Sequence, residues 1–311
     1  MIVVIMSSTV NFEKLFDLSK NKYSWKNDMI IIAGPTCVGK SNIAIGLAKK
    51  INGAIINADS VQVYKDLKVF SARPTIDDMK RIPHFLYGYV ELNTNFSVFD
   101  WLLDVRSTMI EIKNQKKIPI LVGGSGLYLN AVINGLVPIP SVSQETKNEC
   151  LFKFNQVGIE KFRKMICEID PLFIKNNTDK HRLLRAYSVF VETGKNMSFW
   201  YNQPRVGKVD KLTYPFLIYL DRQILYDKCD NRFNEMLLKG GLNEVRLLHN
   251  KVDRSFPIAK SLGVKWLLSY LDNKICFEDA VRLSIRDTRH YVKRQITWFN
   301  HNYIPYKTIN M

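Results

Sequence analysis

The sequence predicts an α/β fold: a mostly parallel sheet covered by helices on both faces, with an inserted helical module and a helical C-terminal part. Three observations predict it. Apolar, β-branched runs alternate with amphipathic stretches through the first half, as strands joined by crossover helices do. The first such run, Met29–Ala33, ends in a glycine-rich loop that opens a helix. After Gly135–Pro140 the texture turns helical and rich in Lys and Asn.

The loop, Gly34-Pro35-Thr36-Cys37-Val38-Gly39-Lys40-Ser41, fits G-x-x-x-x-G-K-[ST] in the strand–loop–helix context that pattern requires, which makes the fold P-loop NTPase-like. Its glycines let backbone N–H groups curl around an anionic oxygen cluster. Lys40 adds a point charge, Ser41 can hold Mg²⁺, and the helix beyond presents its positive end. The four fixed positions occur by chance in roughly one chain in a hundred of this length. Gly34 to Ser41 are therefore expected to bind a di- or triphosphate.

Further strands are expected at Ala54–Ala58, His84–Val90 and Ile118–Val122, with helices over about Gly39–Ile51 and Ser97–Lys116. Ser97 and Asp100 form a capping box at the start of the longer helix. Ser141 to Asp179 reads as an inserted module with helical periodicity and no strand. Core-like patterning resumes with a helix from about His181 to Thr193, Tyr214–Leu220 supplies one more buried strand, and helices follow from Arg222 to Asn300. The tail after His301 carries no clear pattern. The expected divisions are an N-terminal extension (1–28), the first part of the core (29–140), the inserted module (141–179), and the core completion with the basic helical part (180–311).

With 46% hydrophobic and 24% charged residues, the composition is that of an ordinary globular protein. No stretch approaches the roughly 18 consecutive apolar residues of a membrane span. The opening MIVVIM is short and lacks a preceding basic region, so neither a membrane partner nor a signal peptide is expected. Cys37, Cys150, Cys167, Cys229 and Cys276 are scattered, with no C-x₂-C or Cys/His cluster, which points away from zinc and disulfides and towards a reducing cytoplasm. The net charge is +16, and +11 of it falls in residues 141–311. That excess, in the half without the phosphate loop, points to a polyanionic partner, most simply nucleic acid. A Lys-rich composition throughout is the alternative source.

Asp59-Ser60 follows the second strand and so stands at the carboxyl edge of the sheet, beside the phosphate loop. A carboxylate there serves as general base, Mg²⁺ ligand or turn former. The strand Ile118–Val122 runs into Gly123-Gly124-Ser125-Gly126 and not into the metal-holding Asp usual in ATP-hydrolysing enzymes with this loop, which favours a transferase. Near the C-terminus, Val281, Ile285, Val292, Ile296 and Phe299 recur at helical spacing and are expected to face the core. Arg282, Arg286, Arg289 and Lys293 form an adjacent ridge, with His290 and Arg294 alongside. Such a ridge suits a nucleic-acid backbone or a solvated helix face. Arg182 and Arg185 are a weaker pair of the same kind.

Together these residues resemble the tRNA dimethylallyltransferase (tRNA isopentenyltransferase) family over about Ile31 to Asn300. GPTCVGKS is similar to the family's GPTxSGK[ST], DSVQVY (Asp59–Tyr64) to DSxQxY, and ARPT (Ala72–Thr75) to AKPT. IPHF (Ile82–Phe85), IPILVGGSGLYL (Ile118–Leu129), HRLLRAY (His181–Tyr187), RFNEMLLKGGLNEVRLL (Arg232–Leu248) and TRHYVKRQITWF (Thr288–Phe299) follow in the family's order. Val38 stands where the family commonly has Ser, Ser125 where it has Thr, Arg73 where it has Lys, and Val264 where it has Tyr. The chain resembles the shorter bacterial form, without a zinc-finger extension.

The resemblance implies transfer of a dimethylallyl group from dimethylallyl diphosphate to N6 of the adenosine 3′-adjacent to the anticodon, in tRNAs reading codons that begin with U. It implies four catalytic residues: Asp59 as general base, Ser125 as a positioning hydroxyl, and Lys40 and Arg232, with Mg²⁺ near Ser41, on the diphosphate leaving group. It also implies contacts to the tRNA anticodon stem-loop from Asp59, Ser60, Val61, Gln62, Ser125, His181, Arg182, Arg185, Lys265, Arg286, Arg289, Lys293 and Arg294. The adenine would be flipped out and the inserted module would close over the stem. A monomer is expected. The rival readings are a phosphate-loop kinase of a small acceptor and a catalytically silent RNA-binding protein whose loop senses nucleotide.

Overall fold

The computed structural model describes residues 15–16, 28–175, 177–209 and 213–311. It holds two compact units, one of the residues up to Ile133 with Val209–Met311, the other of Asn134–Lys208. Among the described residues no helix is long and apolar enough to cross a membrane.

The first unit is built on a six-stranded sheet of β1 (Met29–Ala33), β2 (Gly53–Ala58), β3 (His84–Phe85), β4 (Ile118–Gly123), β5 (Thr213–Tyr219) and β6 (Lys307–Asn310). The order is β3-β2-β4-β1-β5-β6 and every pairing is parallel. β1 is buried along its whole length, as MIIIA must be when helices cover both faces. α1 (Lys40–Ile51), α2 (Ile76–Arg81), α3 (Val98–Asn114) and α4 (Gly126–Asn134) punctuate the first four strands. The Ser97–Asp100 capping box opens α3 as expected. Ala33 and Ala58 both pair with Gly123, so β1, β2 and β4 end at one level. That register brings the phosphate loop, Asp59 and the Gly123–Gly126 turn to a single edge.

The second unit is helical: α5 (Gln144–Ile169), α6 (Pro171–Ile174), α7 (Lys180–Thr193) and α8 (Met197–Tyr201). Phe154, Phe162, Ile166, Phe173, Leu183 and Val189 form its core. The helix from His181 was expected to resume the main core and does not. Its apolar stripe packs on α5, so the inserted module runs to Lys208 and not to Asp179. The chain then re-enters the first unit with β5, followed by α9 (Arg222–Leu238), α10 (Gly241–His249), α11 (Val264–Leu271) and α12 (Phe277–Asn302).

Three further expectations change. The strand at His84–Val90 is only two residues long, because Leu86 and Gly88 take positive φ (62° and 59°); Val90 returns as an isolated parallel bridge to Tyr64. The C-terminal tail, patternless in sequence, supplies β6 at the sheet edge, with Ile309 buried. Most of the 1–28 extension lies outside the described residues, yet Phe16 is fully buried, its ring 4.8 Å from that of Phe216.

Candidate active site at the carboxyl edge of the sheet

The phosphate loop leaves β1 and turns into α1 through Gly39, whose φ of 95° excludes most side chains. Cys37 also takes a left-handed φ of 64°. Lys40 Nζ donates to the Pro35 carbonyl at 2.7 Å, bridging the loop. Burial lowers the Lys40 ammonium to about 8, with Asp59 drawing it back up and Arg232 adding to the fall. A bound polyanion repays that desolvation. Arg232 on α9 reaches the same loop, with Nη1 3.4 Å from Thr36 Oγ1 and 3.6 Å from Cys37 Sγ.

Asp59 is held by its own neighbourhood. Its N–H donates to Asn57 Oδ1 at 2.9 Å, while its Oδ1 accepts from the N–H groups of Val61 (2.8 Å) and Gln62 (3.3 Å). Asn57 is fully buried and tied to the Leu86 carbonyl and to Trp101 Nε1, each at 3.0 Å. Asp59 is thus a turn former through Oδ1; among the described residues Oδ2 has no hydrogen-bond partner. Asp59 lines a cavity of about 670 Å³ together with Lys40, Ser41, Arg232 and Arg294.

The Gly123–Gly126 turn lets backbone approach backbone. A Cβ on Gly123 would sit 2.1 Å from the Ala58 carbonyl oxygen, and one on Gly124 would sit 2.6 Å from that of Gly34. No other residue fits. Ser125 Oγ accepts from the Ser60 N–H at 3.4 Å. Burial, aided by the Asp59 charge, pushes the Tyr291 phenol up to about 12 and raises that of Tyr87, so both stay protonated beside the carboxylate.

Three residues that sequence reasoning missed complete the frame. Gln295 is buried on α12; its Oε1 accepts from the Thr36 N–H and its Nε2 donates to the Gly124 carbonyl, both at 2.9 Å. It therefore ties the phosphate loop to the β4 turn. Glu244 on α10 accepts from the consecutive N–H groups of Lys68, Val69 and Phe70, the loop whose next residues Ser71 and Ala72 line the cavity. Gln62 Nε2 pins that loop from the other side at the carbonyls of Ser71 (2.8 Å) and Ala72 (3.2 Å). Tyr291 is the third. Gln295 and Glu244 had one available signal, an uncharged amide or a carboxylate on a helix face otherwise apolar.

The structure gathers Gly34–Ser41, Asp59–Gln62, Ser125, Arg232 and Arg294 at this edge. It does not gather the basic ridge. Arg286, Arg289 and Lys293 line a separate groove of about 970 Å³ against Tyr226 of α9. Their neighbours also correct the expected core stripe: Ala280, Ser284, Val292, Gln295 and Phe299 are the buried residues of α12, while Val281 and Ile285 line the groove. Lys265 is exposed, its Nζ 4.2 Å above the Trp266 ring; Lys260 lines the cavity instead. Val264 is fully buried, so the position at which the family shows Tyr is here a core residue. In the helical unit, His181, Arg182 and Arg185 lie on the exposed side of α7, and Arg182 pairs with Asp179 at 3.3 Å.

Among the described residues no cluster of three His, Cys, Asp or Glu side chains could hold a metal alone. One hydroxyl (Ser41) and one carboxylate (Asp59) on the same cavity do fit Mg²⁺, which keeps several waters and is shared with substrate phosphates.

The family model described as IPP transferase matches residues 62–302, and that described as isopentenyl transferase matches residues 27–94. A tRNA dimethylallyltransferase of Nitrobacter hamburgensis is 38% identical over 279 residues, 88% of each chain. One of Pelagibacter ubique is 39% identical over 277 residues, again 88% of each chain. The structure of the full-length tRNA isopentenylpyrophosphate transferase from Bacillus halodurans superposes with a TM-score of 0.65 at 27% identity, covering 91% of this chain and 90% of that one. A eukaryotic dimethylallyltransferase acting on tRNA superposes with a TM-score of 0.75, also at 27% identity, covering 91% of this chain and 74% of its own.

Proposed function

The chain belongs to the IPP transferase family, and from that premise we propose that it moves a dimethylallyl group from dimethylallyl diphosphate to N6 of the adenosine 3′-adjacent to the anticodon, in tRNAs reading codons that begin with U. One observation carries the reading. A single cavity is lined by an anion cradle (the loop, Lys40 and Arg232) and by the Asp59 carboxylate, whose Oδ2 has no hydrogen-bond partner among the described residues.

The chemistry follows from that pairing. The N6 lone pair attacks the allylic carbon, the C–O bond breaks, and its electron pair leaves on the diphosphate. Lys40, Arg232 and the loop N–H groups face the oxygens on which that charge grows. Asp59 Oδ2 takes the N6 proton as the C–N bond forms, while Oδ1 stays anchored to the turn. Ser41, with the diphosphate, would hold Mg²⁺, which when bound would add neutralisation of the leaving group. Ser125, whose Oγ accepts from the Ser60 N–H, positions the Asp59 turn; Tyr64, Tyr87, Tyr128 and Tyr291 line the site and limit water beside an allylic cation. Arg294 is the ridge residue best sited for the tRNA backbone, since it lines this cavity. The reaction would run in the cytoplasm, where tRNA is met, and in a monomer.

The test is direct. The protein is incubated with Mg²⁺, labelled dimethylallyl diphosphate and unmodified tRNA, and the digested nucleosides are identified. Labelled N6-(dimethylallyl)adenosine is the expected product. Phosphorylation of a small acceptor from ATP, with no labelled nucleoside, would establish a kinase instead.

A further inference from the structure

Cys37 and Cys229 are 192 positions apart in sequence, and the fold packs Cys37 against the core cluster that holds Cys229. Cys37 is the half-buried member and lines the cavity; Cys229, on α9, is 2% exposed and packs in the core cluster that Cys37 borders. Arg232, one helical turn beyond Cys229, holds its guanidinium 3.6 Å from Cys37 Sγ, and Thr36 Oγ1 lies 3.9 Å from the same sulfur. The mechanism proposed above needs neither thiol. A small residue suffices at position 37 for the loop to turn.

We propose that Cys37 is a hydroperoxide-reactive thiol with Cys229 as its resolving partner, so that oxidation ties the phosphate loop to α9. A reactive cysteine needs access, thiolate character and a second thiol within reach. The cavity gives access and α9 gives the second thiol. The Cys229 hydrogen bond, together with the Arg232 charge, outweighs burial and lowers the Cys37 thiol to about 6, while Cys229, donating that bond and buried, is pushed up and keeps its proton. Cys150, in the helical unit, is buried, and its thiol is raised by burial; Cys276 is engaged as the α12 cap.

The steps balance. The Cys37 thiolate attacks one peroxide oxygen, the O–O bond breaks, and the departing hydroxide takes a proton to give sulfenic acid and water. Cys229 then attacks the Cys37 sulfur, the S–O bond breaks, and the hydroxide leaves with the Cys229 proton as a second water. Two thiols lose two electrons and the hydroperoxide gains them. Forming the bond draws the two sulfurs to about 2 Å of each other. That displaces Cys37 towards α9, takes its thiolate from Arg232, and tilts the Thr36 and Cys37 amides that cradle the anion.

The protein is treated with hydrogen peroxide, its free thiols are alkylated, and peptides are mapped without reduction, alongside pyrophosphate binding in Mg²⁺. The expected result is a Cys37–Cys229 linked peptide, reversed by dithiothreitol, with pyrophosphate binding weakened by about tenfold or more. Cys229→Ser should give no link and leave Cys37 as a sulfenic acid trapped by dimedone. Cys37 staying reduced, or pairing with Cys167 or Cys276, would overturn the assignment; a linked peptide with pyrophosphate binding unchanged would overturn the coupling to the loop. The transferase reading is judged separately, by prenyl transfer from the untreated protein.

Discussion

The two faces of α12 both present arginine and come to opposite ends. One face turns Tyr291, Arg294 and Gln295 to the phosphate-loop cavity, where Gln295 bonds to the loop and the β4 turn and Arg294 has no carboxylate partner among the described residues. The other turns Arg282, Arg286, Arg289 and Lys293 to the groove with α9, and three of those four are already paired. Arg282 bonds to Asp279 at 2.7 Å, Arg286 to Asp287 at 3.0 Å, and Arg289 forms a two-pronged pair with Asp230. Asp287 is bonded in addition to Trp266 Nε1 at 2.7 Å, and two of the helix's three carboxylates are held below their ordinary range, Asp279 by the Arg282 hydrogen bond and Asp287 by its hydrogen bonds against the cost of burial. Surface charges that are paired contribute little field. The lesson is that a count of arginines along a helix says how much charge is present, and only the partners say how much is available.

The difference can be broken or sharpened by substitution. On the cavity side, Asp59→Asn should have the largest effect, lowering turnover by about 10²-fold or more with tRNA affinity nearly unchanged, as read by single-turnover transfer and filter binding. A full-rate Asp59→Asn enzyme would leave that carboxylate as a turn former only. Arg232→Ala comes next: the KM for dimethylallyl diphosphate should rise by roughly 10- to 100-fold, and Lys at this position should restore only part of it, since a point charge lacks the guanidinium fork.

Gln295→Ala removes one acceptor and one donor from buried backbone groups. It should cost about 1–3 kcal/mol in denaturant unfolding, and Gln295→Glu should not repair it, because a carboxylate cannot donate to the Gly124 carbonyl. The smallest effect belongs to the groove. Arg286→Ala with Arg289→Ala should change the slope of log K for tRNA against log salt by less than about one unit, well short of two free phosphate contacts. Asp230→Asn sharpens the same point from the other direction. Freeing Arg289 should steepen that slope, and an unchanged slope would mean that the groove never faces RNA.

Much of the catalytic edge was legible because its parts are local. Gly34–Ser41 is a contiguous pattern whose glycines, lysine and serine have one geometric use. Asp59 was legible because a residue following a parallel strand must lie at the carboxyl edge. That its Oδ1 is spent on the turn was not, because it depends on where Val61 and Gln62 point their N–H groups. Gln295 and Glu244 were invisible as site residues, since each acts on backbone more than 170 positions away.

By itself the sequence determined the α/β alternation, the phosphate loop, the strand-end carboxylate, the capping box at Ser97 and the family, all consequences of short-range stereochemistry and composition. Tertiary structure alone decided the rest. It joined Lys307–Asn310 to the sheet edge, drew the helix at His181 into the inserted unit, buried Phe16 against Phe216, turned α12 so that Gln295 and not Ile285 meets the core, and paired the ridge arginines with aspartates. The physical reason is common to all five. Strand pairing, helix packing and ion pairing are contacts between distant segments, and their energies depend on which surfaces meet, which no local window of the chain contains.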